Sequence, residues 1–189
     1  MTPVAVLISG RGSNLQALLD AKQSDYEIKF VISNIPGAAG LAIARKAGVA
    51  TSVIDHKRFG KDREAFEREI DLELGARAIE IVALAGFMRV LSPFFVRAWE
   101  GRLVNIHPSL LPKYPGLNTH ARALEAGEAE AGCSVHLVTE GVDQGPVLGQ
   151  TRVPIQPGDT PDTLAARVLE AEHRLYPECL ARLARGQAR

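Results

Sequence analysis

Four strand-like runs, each separated from the next by a stretch with helical spacing, constrain the fold of this chain more than any other feature. Val4 to Ser9 is apolar at nearly every position instead of alternating, the pattern of a strand covered on both faces. Gly10-Arg11-Gly12 breaks it, and Leu15, Leu18 and Leu19 then form an apolar stripe, with Ser13 and Gln16 at capping-box spacing. Ile28 to Ser33 reads as the second strand, followed by the turn Asn34-Ile35-Pro36-Gly37, a short helix over Leu41 to Ala47 stopped by Gly48, and a third strand, Thr51 to Ile54. Asp62 caps the next helix, where Phe66, Ile70 and Leu74 fall four apart, and Ile79 to Ala85 is the fourth strand, ended by Gly86. Strands alternating with helices in this way require a parallel sheet with right-handed crossovers. The expected class is α/β, a Rossmann-like open, mostly parallel twisted sheet with helices on both faces.

Past Gly86 the pattern changes. Phe87-Met88-Arg89-Val90-Leu91 is an apolar loop in the position where open α/β sheets bind ligands, although core filler is an equal reading. Ser92-Pro93 opens a helix as N-cap and first residue, with Phe94, Phe95 and Trp99 expected in the core. Leu103 to His107 reads as a buried strand running into a loop stiffened by Pro108, Pro112 and Pro115. Thr119 to Gly127 is helical. Gly132 to Thr139 and Val147 to Ile155 are strands that pair antiparallel across a short connection, which makes the carboxy-terminal part of the sheet antiparallel. Thr160-Pro161-Asp162 starts a last helix that Pro177 is expected to kink or divide.

Three polar side chains stand out against this frame. Asn105 and His107 are two apart in an extended strand and face one cavity, while Ile106 faces the core. Asp143 lies in the tight turn Gly141-Val142-Asp143-Gln144-Gly145-Pro146, from which it can swing back to the imidazole. Amide and imidazole donors converging on one point suit chemistry at a carbonyl, where they stabilise negative charge growing on oxygen. A carboxylate beside His107 favours the charged imidazolium as donor or general acid. No serine or cysteine has an evident base partner, so transfer is expected to be direct, without an acyl-enzyme. His56, His120, His136 and His173 are read as structural or surface histidines. A metal site would need three or four ligands, and neither a His-Glu-x-x-His pattern nor paired cysteines occur. The glycine turn before Ser13 presents helix N–H groups suited to a phosphate, yet it lacks the third glycine of a dinucleotide fingerprint and the Gly-Lys of a P-loop. An ordinary strand-to-helix connection therefore stays open there, and Arg63, near a helix start, reads as a solvated arginine.

Composition narrows the partners. The 189 residues fit one domain, and a formal net charge of zero without a basic stripe gives no support for nucleic acid. No apolar run reaches the roughly 18 to 20 residues needed to span a bilayer, and Met1-Thr2-Pro3-Val4 has no signal-type pattern. A cytoplasmic protein with small-molecule substrates, no membrane partner, and a monomeric or homodimeric state is expected. Cys133 and Cys179 are expected as buried free thiols.

Asn105-Ile106-His107-Pro108-Ser109-Leu110-Leu111-Pro112-Lys113-Tyr114-Pro115-Gly116, followed by Ser134-Val135-His136 and Asp143-Gln144-Gly145-Pro146, resembles the folate-dependent formyltransferases. Gly10-Arg11-Gly12-Ser13-Asn14-Leu15-Gln16-Ala17-Leu18 and Ala85-Gly86-Phe87-Met88-Arg89-Val90-Leu91-Ser92 narrow the resemblance to the phosphoribosylglycinamide formyltransferases, over essentially the whole chain. The resemblance implies formyl transfer from 10-formyltetrahydrofolate, as co-substrate and with no metal, to the amine of glycinamide ribonucleotide in purine synthesis. It implies a single formyltransferase domain over residues 1–189, with a phosphate-binding half over 1–100 and a catalytic and folate-binding half over 101–189.

Carried over by motif, Asn105, His107 and Asp143 are the catalytic residues. Gly12, Ser13, Asn14, Pro108 and Glu172 contact the ribonucleotide. Arg63, Met88, Arg89, Val90, Leu91, Asn105, Thr139, Glu140, Gly141, Val142 and Asp143 form the folate side. Leu169 departs from the family pattern, since a polar residue is expected three positions before Glu172, and the chain ends soon after its last helix. Methionyl-tRNA formyltransferase and formyltetrahydrofolate hydrolase share the same three residue types but carry further domains for which 189 residues leave no room. A hydrolase-like activity or a non-catalytic folate or nucleotide binder is the alternative.

Overall fold

The computed structural model describes residues 1–21 and 24–187. Its elements are β1 (Thr2–Ile8), α1 (Ser13–Asp20), β2 (Tyr26–Ser33), α2 (Ala39–Lys46), β3 (Ala50–Val53), α3 (Arg63–Gly75), β4 (Ile81–Leu84), α4 (Pro93–Ala98), β5 (Leu103–His107), α5 (Thr119–Glu125), β6 (Glu130–Leu137), β7 (Val147–Pro154) and α6 (Pro161–Ala184). The strands form one seven-stranded sheet in the order β3-β2-β1-β4-β5-β6-β7. β1 to β5 are parallel, while β6 and β7 join antiparallel, as the change in sequence pattern after Gly86 requires.

The pleat of β1 divides the core. Val4, Val6 and Ile8 pack on one side with Leu15 and Leu18 of α1, Leu41 of α2, and Val168 and Tyr176 of α6. Ala5 and Leu7 point the other way, into a second cluster with Phe66, Ile70 and Leu74 of α3 and Phe95 and Trp99 next to it. All five of these β1 residues are fully buried, which accounts for a strand without polar alternation. The order of the strands reverses between β1 and β4, so a crevice opens beyond their carboxyl ends, where the Gly10–Gly12 and Gly86–Leu91 segments lie.

Two local expectations are corrected and a third holds in position only. Ser13 is not the N-cap of α1. Gly12 takes that position with φ of 81°, and Ser13 is the first helical residue with no capping-box bond. Ser92 is the N-cap of α4 with Pro93 as its first residue, as expected, although its hydroxyl goes to Glu67 and makes no capping bond. Pro177 does not divide the last helix, which runs unbroken for 24 residues. Proline removes the donor for the His173 carbonyl at a typical cost of about 3 kcal/mol. Burial of Tyr176, Pro177, Cys179 and Leu180 against the sheet outweighs that loss.

Tyr176 fixes α6 to the strands beneath the crevice. Its hydroxyl donates to the Leu84 carbonyl at 2.8 Å and lies 3.2 Å from the Val104 carbonyl, with the ring fully buried. Tyr176→Phe is expected to lower stability by about 1–2 kcal/mol, because a buried acceptor loses its donor. Denaturant titration of both proteins checks this, and equal midpoints with equal slopes would contradict it.

Candidate active site

β5 sets the centre of the site. Asn105 and His107 share one face, and the antiparallel pairing places His136 directly opposite Asn105 and Ser134 opposite His107. Residues opposed across an antiparallel pair project from the same face, so His136 joins the site by register. Its Nε2 lies 3.4 Å from Asn105 Nδ2 and 3.5 Å from Asp143 Oδ1. His136, whose sequence context suggests only a structural histidine, instead faces the site. Combining the Ser134-Val135-His136 alternation with the expected antiparallel pairing would have found it.

Asp143 arrives from the segment between β6 and β7, which folds back over this face. Asp143 itself is left-handed, with φ of 53°. Gly145 permits the close turn, because a Cβ there would sit 1.7 Å from the Leu137 carbonyl oxygen. Asp143 Oδ2 accepts the Gly116 N–H at 2.9 Å and lies 3.4 Å from His107 Nδ1. Burial pushes its carboxyl up, but the His136 and Gly116 bonds and the charges of His107 and His136 outweigh this and hold it below the ordinary aspartate value. The three residues expected to act together are thus adjacent, with His136 as a fourth member.

Both ring nitrogens of His107 meet protein oxygens. Nδ1 faces Asp143, and Nε2 donates to the Tyr114 carbonyl at 2.9 Å. His136 Nδ1 donates to the Leu137 carbonyl at 2.9 Å, which leaves Nε2 turned to Asn105 and Asp143. The proline loop that supplies Tyr114 and Gly116 is anchored from below. Ser134 Oγ donates to the Ser109 carbonyl and accepts the Leu111 N–H, and Gln150 Nε2 donates to the Leu111 carbonyl.

The glycine turn after β1 forms a second centre. A Cβ on Gly12 would lie 2.6 Å from Gly40 Cα, so only glycine lets this turn approach α2. The free N–H groups of the first turn of α1 open beside it, with no acidic residue among them. Asn14 Nδ2 donates to Glu172 Oε2 at 2.8 Å, while Asn14 Oδ1 is buried without a partner. Burial pushes the Glu172 carboxyl up and the Asn14 bond pulls it partly back. Gly12, Ser13, Asn14 and Glu172 therefore gather at one place. Pro108, which directly follows His107, lines a separate cavity of about 210 Å³ behind the proline loop, with Tyr114, Glu128 and Gln150. Leu169 is half-buried on α6, one turn before His173.

The expected folate residues lie on three segments. Met88 and Val90 are 67% and 60% exposed and Val142 is 53% exposed, an apolar fringe on two loops. Arg89, between Met88 and Val90, and Leu91, after Val90, are half-buried, and Arg63 is exposed at the start of α3. In the Thr139–Asp143 segment Thr139 is exposed and Gly141 half-buried, while the Glu140 carboxylate is paired with Arg97 Nε at 2.7 Å. Among the described residues no helix is long and apolar enough to cross a membrane, and no three His, Cys, Asp or Glu side chains are grouped to hold a metal ion. Cys133 and Cys179 are buried free thiols, both held up by burial, Cys133 to about 12.

A family model described as formyl transferase matches residues 2–180. Phosphoribosylglycinamide formyltransferase of Escherichia coli (strain K12) is 50% identical over 187 residues, covering 97% of this chain and 88% of that protein. The trifunctional purine biosynthetic protein adenosine-3 of Drosophila melanogaster is 54% identical over 190 residues, 98% of this chain. The chain spans only 14–19% of the length of such trifunctional relatives. The crystal structure of phosphoribosylglycinamide formyltransferase from Brucella melitensis superimposes with a TM-score of 0.92 at 52% identity, over 97% of this chain and 95% of that one. Glycinamide ribonucleotide transformylase 1 from Symbiobacterium toebii gives 0.94 at 43% identity, over 98% and 89%.

A carboxylate held below its ordinary value contributes stability that is present above that value and is lost as pH falls through the folded one. Asp143→Asn is therefore expected to be less stable than the parent near pH 7, with the gap closing below about pH 4. Parallel denaturation from pH 7 to 3 measures this. A gap that stays constant or widens in acid would refute the ionised, hydrogen-bonded aspartate.

Proposed function

The chain belongs to the formyl transferase family, and we propose that it moves the formyl group of 10-formyltetrahydrofolate to the primary amine of N1-(5-phospho-D-ribosyl)glycinamide. The products are the formylglycinamide ribonucleotide and tetrahydrofolate, a step of de novo purine synthesis, carried out by one formyltransferase domain in the cytoplasm. The names and near-complete coverage of the Escherichia coli and Brucella relatives support the substrate. The observation that carries the reading is the meeting of Asn105, His107 and Asp143 beside the proline loop.

In this reading the ribonucleotide phosphate takes the N–H groups at Gly12, Ser13 and Asn14. Asn14 Oδ1 and Glu172 accept from the sugar hydroxyls, which supplies the partner that Asn14 Oδ1 lacks. The folate lies against Met88–Leu91 and the Thr139–Asp143 segment, with Arg63 near its glutamate end. The amine adds to the formyl carbon, and negative charge grows on the formyl oxygen. Asn105 Nδ2 and His107 donate to that oxygen. The bond from carbon to the folate nitrogen then breaks, and the proton lost by the amine ends on that nitrogen. His107 Nε2 donates to the Tyr114 carbonyl in this structure, so the formyl oxygen takes that carbonyl's place. Asp143 and the Gly116 N–H keep the ring in its plane meanwhile. Neither a serine nor a cysteine is used, so no acyl-enzyme forms.

Purified protein with both substrates tests the reading directly. Asn105→Ala and His107→Ala are each expected to lower kcat by about 10²–10³-fold while the proteins stay folded, the usual effect of losing one oxyanion donor. Glu172→Ala is expected to raise KM for the ribonucleotide with little change in KM for the folate. Formyl transfer undiminished in His107→Ala would overturn the assignment.

A further inference from the structure

The Met88–Leu91 loop exposes Met88 and Val90 to solvent, yet both its ends are held by side chains that belong to other elements. At its start, the Ser9 N–H donates to the Gly86 carbonyl at 3.1 Å, and Ser9 Oγ accepts the Met88 N–H at 2.8 Å. The direction of the hydroxyl is fixed, because its own proton goes to Asn34 Oδ1 at 2.6 Å. Asn34 is 2% exposed and is held in turn by His56, whose Nδ1 lies 3.1 Å from the Asn34 carbonyl and 3.2 Å from its side-chain amide. A hydrogen-bonded row thus crosses the ends of β3, β2 and β1 to reach one backbone N–H of the loop.

The other end is held by Glu67 of α3, which is fully buried. Its Oε1 accepts the Ser92 N–H at 2.7 Å and its Oε2 accepts the Ser92 hydroxyl. Burial raises the Glu67 carboxyl, and the two Ser92 bonds and the Arg63 charge pull it back. A buried carboxylate is costly unless hydrogen-bonded, and the packing of α3 rests on Phe66, Ile70 and Leu74 without it. Both Glu67 oxygens instead meet the one residue that closes the loop, and Ser92 gives up a side-chain capping bond to α4 to meet them. Arg63 lies one helical turn before Glu67, so the same contact fixes the spacing of Arg63 from the loop.

We propose that Ser9 and Glu67 are positioning residues for the folate: they pin the Met88–Leu91 loop at its two ends and so set how tightly and in what register the pterin is held, without touching either substrate. This rests on the reading of that loop as the folate cradle. Ser9 also adjoins the Gly10–Gly12 turn, whereas Glu67 is on a different helix, so Glu67 gives the cleaner test.

The test compares Glu67→Ala and Ser9→Ala with Glu67→Gln and Ser9→Thr, which keep a partner for Ser92 and for Met88. Steady-state kinetics in both substrates is combined with calorimetric titration of tetrahydrofolate. Each alanine variant is expected to weaken tetrahydrofolate binding and raise the formylfolate KM about tenfold, a change of about 1.4 kcal/mol. KM for the ribonucleotide should stay within about twofold, and the conservative variants should recover most of the loss. If an alanine variant does not fold, Ser92→Ala breaks the contact to Glu67 Oε2 alone and should show the same selective loss in smaller measure. Folded alanine variants that bind tetrahydrofolate like the parent, or that raise both KM values equally, would overturn the proposal. A parent protein that does not bind tetrahydrofolate would instead sink the reading of the loop itself.

Discussion

The carboxylate of Asp143 is the interaction on which the geometry of the site depends. It stands between two imidazoles and takes a backbone N–H from the end of the proline loop. Burial alone would drive it toward the neutral acid. The donors around it outweigh that, so the charge is retained and the segments that carry those donors are drawn together. Its oxygens join the turn after β6 to the Pro108–Gly116 loop, directly at the Gly116 N–H and by way of His107, which holds the Tyr114 carbonyl. The antiparallel β5–β6 pair is what makes the arrangement possible, since it brings His136 opposite Asn105 on the face to which Asp143 returns.

α6 plays the corresponding part for the proposed ribonucleotide pocket. Glu172 and Tyr176 are four apart and lie on one face of the helix. Tyr176 is tied to the Leu84 carbonyl at the end of β4, and Glu172 then reaches Asn14 at the start of α1. The pocket is thereby set by the position of the helix against the sheet and not by a flexible loop. The proposed folate side is built differently, around the Met88–Leu91 loop, whose exposed apolar side chains lie between ends bonded to Ser9 and to the buried Glu67.

Much of this was legible in the sequence, because it follows from periodicity. The apolar run Val4 to Ser9 dictated a doubly covered strand, and the two-residue spacing of Asn105 and His107 dictated a shared face. Features set by tertiary pairing were not legible in the same way. His136 has no local signal that distinguishes it from His56 or His173, and only its register against Asn105 brings it to the site. Ser13 carries the spacing of a capping box, but the close approach of Gly12 to Gly40 puts the glycine at the cap. Proline at 177 carries a strong helix-breaking signal, which packing against the sheet overrides. The ligand contact proposed for Arg63 rests on resemblance alone, since an exposed arginine has a bland explanation, and for Met88–Leu91 resemblance decides between a pocket wall and core filler, which loop position leaves equal.

Asp143 is proposed to act on the formyl oxygen through His107. A double-mutant cycle on the chemical step, measured in single turnovers with His107→Ala, Asp143→Asn and the combined variant, tests it most directly. Residues that work as one unit should not multiply, so the combined variant should be about as slow as His107→Ala alone. If instead Asp143→Asn slows the His107→Ala protein by the same factor as it slows the parent, the carboxylate has an independent role and the account is wrong.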